Sequence, residues 1–165
     1  MLYGAALFNS KGIKVETTLP NESLKTSCER NSLKQILLNL WKNASEALSN
    51  GQQFKISLTD SVIHNGQAYV QVRMDDNGPG MSDAAMRSIH TPPEPSTSGR
   101  RGIGLSIVGE LARKQGIPIT CRSQAGKGTS IALLLPKICS QSATAAPGDI
   151  VTPALQVGLS GAEER

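Results

Sequence analysis

Aromatic side chains make up only 3% of this 165-residue chain, with one Trp, two Phe and two Tyr. That leaves no stacking platform for single-stranded nucleic acid or for sugar rings. The 38% hydrophobic content is mainly aliphatic, as suits a soluble protein, and the chain is long enough for one domain with its own core. Cysteine is equally sparse: Cys28, Cys121 and Cys139 are odd in number, widely spaced, and without a CxxC pair or a His at ligand spacing. This argues against a disulfide framework and a zinc site, and points to the cytoplasm. No stretch reaches the roughly 18 consecutive apolar residues of a membrane span, and no signal-peptide pattern opens the chain. Positive charge is not clustered either. The net charge is +4, and apart from Arg100-Arg101 the Lys and Arg residues are scattered, which disfavours DNA while allowing a smaller anion.

What is present divides the chain into three parts. Residues 1–11 are short and apolar and read as the remnant of a preceding segment, residues 12–138 as the ordered body, and residues 139–165, rich in Ala, Ser, Thr, Pro and Gly, as a flexible tail or linker. There is no internal repeat. Within the body, Gly12 to Leu19 predicts a strand, and residues 53–62 and 68–75 predict two strands joined at Asn65-Gly66, a pair that favours a tight hairpin turn. Ile117 to Cys121 and Ser130 to Leu135 predict two more.

Between the first strand and the hairpin, Leu33, Ile36, Leu37, Leu40, Ala44, Ala47 and Leu48 recur at three and four residues. They predict one helix with an apolar stripe facing a sheet. Asn39, Asn43 and Glu46 fall on the neighbouring face. A polar row beside a buried stripe sits at the edge of the core, where a ligand can be held partly out of water. Taken alone, such Asn residues are more simply solvated.

Asp76-Asn-Gly78-Pro-Gly80 follows a strand that ends near Met74. Its glycines permit a sharp turn and a close backbone approach to a flat ligand. In isolation the same letters spell an ordinary turn, and Asp75 reads as exposed. Gly102-Ile103-Gly104-Leu105 opens a helix whose apolar face continues through Ile107 or Val108, Leu111 and Ala112. Glycines ahead of a helix leave its first N–H groups free to reach phosphate oxygens at the positive end of the dipole. Two commoner nucleotide motifs fail here. A dinucleotide fingerprint needs a third Gly where Ile107 stands, and a P-loop needs Ser or Thr where Gly128 follows Lys127. Gly126-Lys-Gly128-Thr129 reads as a hairpin turn between the last two strands.

These four signatures, in this order from about Lys14 to Pro136, resemble the N, G1, G2 and G3 boxes of the ATP-binding superfamily shared by gyrase, the Hsp90 chaperone, sensor histidine kinases and MutL. The resemblance implies an α/β two-layer sandwich, a mixed, mostly antiparallel sheet packed against about three helices, known as the Bergerat-type ATP-binding fold. It implies ATP and Mg²⁺ as ligands. Asn43 matches the Asn that ligates the metal, a role suited to a neutral oxygen donor. Asp76 matches the carboxylate that accepts a hydrogen bond from the adenine amino group, with Gly78 and Gly80 shaping its loop and Thr129 joining the base contacts. Gly102, Ile103, Gly104 and Leu105 match the phosphate turn. Asn39 stands where the hydrolytic branches carry a water-activating Glu, and an amide is no general base at neutral pH. Lys42 reads as a solvated neighbour.

Between His90 and Arg101 the family places a mobile lid. This chain lacks the Phe residues that related kinases carry near His90 and Pro93, and the Lys near Ser98. Phosphate contact then falls to Arg100 and Arg101, whose guanidinium groups suit phosphate oxygens. The runs around Asn39 and Gly102 look most like the histidine kinase branch. The resemblance therefore implies the catalytic and ATP-binding domain of a two-component sensor histidine kinase, passing the γ-phosphoryl group to a His on a separate dimerisation domain, with a response regulator downstream. It also implies a monomeric fragment of a homodimeric parent, with no nucleic acid and no membrane contact of its own. His64 and His90 lack the helical context of a phosphoacceptor and read as surface residues. The alternatives are a degenerate nucleotide-binding or interaction module, and a serine kinase or ATPase of the same superfamily.

Overall fold

The computed structural model describes residues 8–91 and 103–138. Among them five strands form one sheet: β1 (Lys14–Thr18), β2 (Gln53–His64), β3 (Gln67–Asp76), β4 (Ile119–Gln124) and β5 (Gly128–Pro136), in the order β1-β2-β3-β5-β4. Only the β1–β2 pair is parallel. Three helices, α1 (Arg30–Ala47), α2 (Asp83–Ser88) and α3 (Ile103–Lys114), accompany it. The expected α/β sandwich with a mixed, mostly antiparallel sheet is what the chain forms.

Alternation explains the layering. Along β3 and β5, Val70, Val72 and Met74 and then Ile131, Leu133 and Leu135 are buried, each 6% exposed or less. Their neighbours in sequence point to the opposite, open face. There Glu16, Lys55 and Asp75 stand side by side across β1, β2 and β3, a ladder of opposite charges that keeps this face in water. Asp75, which reads as exposed, is half-buried and bonded to Arg73 at 3.0 Å. The hairpin turn is as expected. Asn65 and Gly66 take φ of +49° and +77°, the left-handed pair that matches the twist of the flanking strands.

Helix α1 begins where the Glu29 carboxylate accepts the N–H groups of Asn31 and Ser32 at 2.8 and 2.6 Å. Its stripe buries Ile36, Leu40 and Ala44, and full burial of a side chain such as Ile36 contributes about 1.5–3 kcal/mol. The stripe differs from expectation in its last turn, where Ala47 is exposed and Ser45 is buried. Here the helix is covered by the loop before β1, which reaches Ser45 O through Lys11 Nζ. Ala47 instead borders a pocket. Phe8, in the segment ahead of β1, is 2% exposed and stacks on Phe54 with ring centroids 4.8 Å apart. Ile117 is buried just ahead of β4, which starts at Ile119 and not at Ile117. In α3 the core face is Leu105, Val108 and Ala112.

Candidate functional site

Three of the four signatures, spread over some ninety positions of sequence, meet at the ends of β3 and β5 through Asn43, Asp76 with Gly80, and Thr129, and the remaining one adjoins them where Gly104 faces Asn43. A pocket there is lined by Leu40, Asn43, Ala44 and Ala47 from α1, by Phe54, Met74 and Ile131 from the sheet, and by Asp76, Gly80, Met81 and Thr129. Its walls are aliphatic and aromatic, its polar groups few, as ligand sites tend to be built.

Asp76 is the last residue of β3 and pairs in register with Thr129 of β5. Its Oδ1 accepts the N–H of Gly78 at 2.9 Å and that of Thr129 at 3.2 Å. Among the described residues Oδ2 accepts no hydrogen bond, so it is available to the pocket. Burial pushes the Asp76 carboxyl above the ordinary carboxylate value, the two backbone N–H groups oppose this, and the Asp75 charge adds to the rise. A charge held in a half-dry site with one oxygen fixed and one open is suited to accept from a ligand N–H.

The loop after Asp76 is fixed against the β4–β5 turn. Gly126 N donates to Pro79 O at 2.8 Å, and Gly80, at φ +78°, lies so close to Gln124 that a Cβ would overlap its carbonyl oxygen. Gly128, at φ +99°, meets the Asp76 carbonyl in the same way. Both positions require glycine, for backbone conformation and for space. Thr129 is 7% exposed. Its hydroxyl bonds that of Ser123 at 3.0 Å, and Ser123 also accepts from Met81 N at 2.7 Å. Ser123 is the residue that sequence reasoning missed. An isolated Ser on an alternating strand carries no motif, and only the register of β4 against β5 sets it beside Thr129.

Helix α1 places Asn43, half-buried, in the pocket wall, whereas Asn39, half-buried one turn earlier, is not part of that wall, and Glu46 stays exposed beside Lys42, 3.9 Å away. Among the described residues the buried amide nitrogens of Asn39 and Asn43 have no hydrogen-bond partner. Each such orphan costs about 1–3 kcal/mol, a cost that an occupant with acceptor oxygens offsets. Asn43 also touches the third signature, since a Cβ on Gly104 would stand 3.2 Å from Asn43 Oδ1. Ile103 opens α3, and the Leu105 side chain is in the core, so Leu105 can meet a ligand here through its backbone N–H and not through its side chain. Arg100, Arg101 and Gly102 lie outside the described residues, as does Cys139. His64 and His90 are both exposed. Among the described residues no helix is long and apolar enough to cross a membrane.

The family model described as histidine kinase-, DNA gyrase B- and HSP90-like ATPase matches residues 28–138. The sensor histidine kinase ZraS of Escherichia coli (strain K12) is 32% identical over 128 residues, covering 78% of this chain and 26% of its own length. The adaptive-response sensory kinase SasA of Prochlorococcus marinus (strain MIT 9303) is 28% identical over 135 residues, covering 79% of this chain and 35% of its own. This chain thus spans about a third or less of those relatives. In structure, the nucleotide-free catalytic domain of histidine kinase ThkA superposes with a TM-score of 0.66 at 24% identity, over 82% of this chain and 86% of that one. Full-length ShkA in complex with AMPPNP gives 0.65 at 24% identity, over 82% and 28%. The matched segment holds every described residue of the pocket, and the chain belongs to the histidine kinase-, DNA gyrase B- and HSP90-like ATPase family, with sensor histidine kinases among its relatives.

Proposed function

We propose that this chain binds Mg-ATP as the catalytic domain of a sensor histidine kinase and delivers the γ-phosphoryl group to a His on the parent's dimerisation domain. The observation that supports it most is the pairing, in one apolar pocket, of an acceptor carboxylate at Asp76 with a buried amide at Asn43 whose nitrogen has no hydrogen-bond partner among the described residues. Asp76 Oδ2 would accept from the exocyclic amine of adenine, which guanine lacks at that edge. Met74, Ile131 and Leu40 would cover the base faces and exclude water.

Among the described residues no cluster of three or more His, Cys, Asp or Glu could hold a metal by itself. A lone amide oxygen from Asn43 fits an ion that keeps most of its shell as water and nucleotide phosphate, as Mg²⁺ does. When bound, that ion would neutralise phosphate charge. The N–H groups at the start of α3, with Gly102 before them and Arg100 and Arg101 upstream, would orient the phosphate oxygens. Asn39 would hold its amide against the ligand without activating water. The acceptor nitrogen would attack the γ-phosphorus as the bond to the β-phosphate oxygen breaks, releasing ADP. The dimerisation domain, the response regulator and a cytoplasmic site of action belong to the parent in this reading.

Calorimetric titration with ATP, with and without Mg²⁺, tests it. Binding should depend on Mg²⁺, and Asn43→Ala should remove most of that dependence. An unchanged dependence would count against Asn43 as the ligand. Absence of ATP binding altogether would sink the nucleotide reading.

A further inference from the structure

We propose that Ser123, through its hydroxyl, is a positioning residue that fixes Thr129 as a pure hydrogen-bond acceptor toward the pocket, and so sets selectivity for a base carrying an amino group at that edge. The inference rests on the ATP-binding reading and deepens it. It starts from proton counting. Ser123 Oγ has three polar neighbours: Met81 N at 2.7 Å, Gly128 O at 3.0 Å and Thr129 Oγ1 at 3.0 Å. A serine hydroxyl offers one proton and two lone pairs. Met81 N–H can only donate and Gly128 C=O can only accept, so one lone pair and the one proton of Ser123 are committed. The remaining lone pair must face Thr129. Thr129 therefore gives its own proton to Ser123.

The opposite direction fails. Were Ser123 to donate to Thr129, its oxygen would face the Gly128 carbonyl at 3.0 Å with no proton between them, a repulsive contact in a half-dry site. With its proton committed, Thr129 presents lone pairs alone to the pocket that it lines. Asp76 Oδ2 beside it is also an acceptor. Two acceptors meet an amino group, directly or through water, and repel a carbonyl oxygen. The discrimination lies between 6-amino and 6-oxo purines, and Ser123 enforces it without touching the ligand.

Calorimetry with Mg-ATP and Mg-ITP on the wild-type chain and its variants tests this, because the two bases differ at that edge. In Ser123→Ala the Thr129 hydroxyl is released and can turn its proton inward. The ATP-to-ITP affinity ratio should fall about tenfold, the size of one hydrogen bond, and Ser123→Thr, which keeps the hydroxyl, should restore it. A wild-type ratio in a folded Ser123→Ala would overturn the proposal. Thr129→Val provides the check if Ser123→Ala does not fold. It should lower the ratio by weakening ATP while ITP binding holds or improves as the repulsion is relieved, and a parallel loss of both nucleotides would also overturn the proposal. A wild-type chain that binds neither would instead overturn the ATP reading beneath it.

Discussion

Burial holds the Asp76 carboxyl above its ordinary value of 3.8, against the pull of the Gly78 and Thr129 N–H groups. A carboxyl whose pKa is higher in the folded chain binds more protons there than in the unfolded chain. Its stabilising contribution is full below pH 3.8 and is lost as pH rises through the raised value. At neutral pH the charge is therefore a cost to the fold, as the proposed role of Asp76 in accepting from a ligand would require. Asp76→Asn keeps an Oδ1 acceptor for both N–H groups and removes the charge. Its melting temperature should exceed that of the wild type at pH 7 and the two should converge on acidification, while ATP affinity drops. A gap in melting temperature independent of pH would contradict this. Asp76→Ala, which removes a charged partner altogether, should weaken ATP binding roughly tenfold to hundredfold. Asp76 was legible in the sequence because its glycines follow a strand. Ser123 was not, since its partners are 42, 5 and 6 residues away and meet it only in the folded sheet.

Helix α3 packs onto the end of α2 through Gly109, where a Cβ would overlap the carbonyl oxygen of Ile89, itself 1% exposed. Helix propensity favours Ala over Gly by about 1 kcal/mol. Forcing a methyl against backbone costs about 1–3 kcal/mol and more when neither side yields. The second effect wins. Gly109→Ala should lower the melting temperature by several degrees, on the order of 3–5 °C per kcal/mol for a body of this size, and a melting temperature equal to or above wild type would refute the close packing. Nothing in a helical Gly announces what stands opposite it, so the sequence was silent on this contact. The elements themselves were legible where one period dominates: the stripe of α1, and the β2–β3 hairpin with its Asn65-Gly66 turn. The misreadings fall where tertiary cover replaces the sheet, at Ala47 and Ser45 in the last turn of α1, and at Ile117, which is buried without being in a strand.

At the scale of the whole molecule the site has no acceptor for the group it would transfer. His64 ends β2 and His90 follows α2, both exposed, and neither lies in a helix. In-line transfer needs the attacking nitrogen held at the γ-phosphate, which only a positioned partner supplies. Incubated with labelled ATP, the chain should stay unlabelled alone and should label the parent's dimerisation domain when that is added. Acid-labile label on this chain alone, lost in His64→Ala or His90→Ala, would overturn the prediction. Phosphate release from ATP should also be negligible, because Asn39 offers no general base. Brisk release abolished by Asn43→Ala would move the chain toward the hydrolytic branch.

The sequence by itself determined the elements and the four signatures, because periodicity, turn chemistry and motif order are local properties that a linear reading can see. It also carried the amide at Asn39 in place of a carboxylate, on which the proposed choice of transfer over hydrolysis rests. Only the tertiary structure decided that Asn43 abuts Gly104, that Gly126 closes on Pro79, and that a serine on β4 governs the proton of a threonine on β5. Those relations depend on strand order and register, which place residues far apart in sequence within one hydrogen bond of each other. Hydrogen bonding is directional and exhausts its donors. For that reason the direction of a shared proton could be read only once every neighbour of Ser123 was in place.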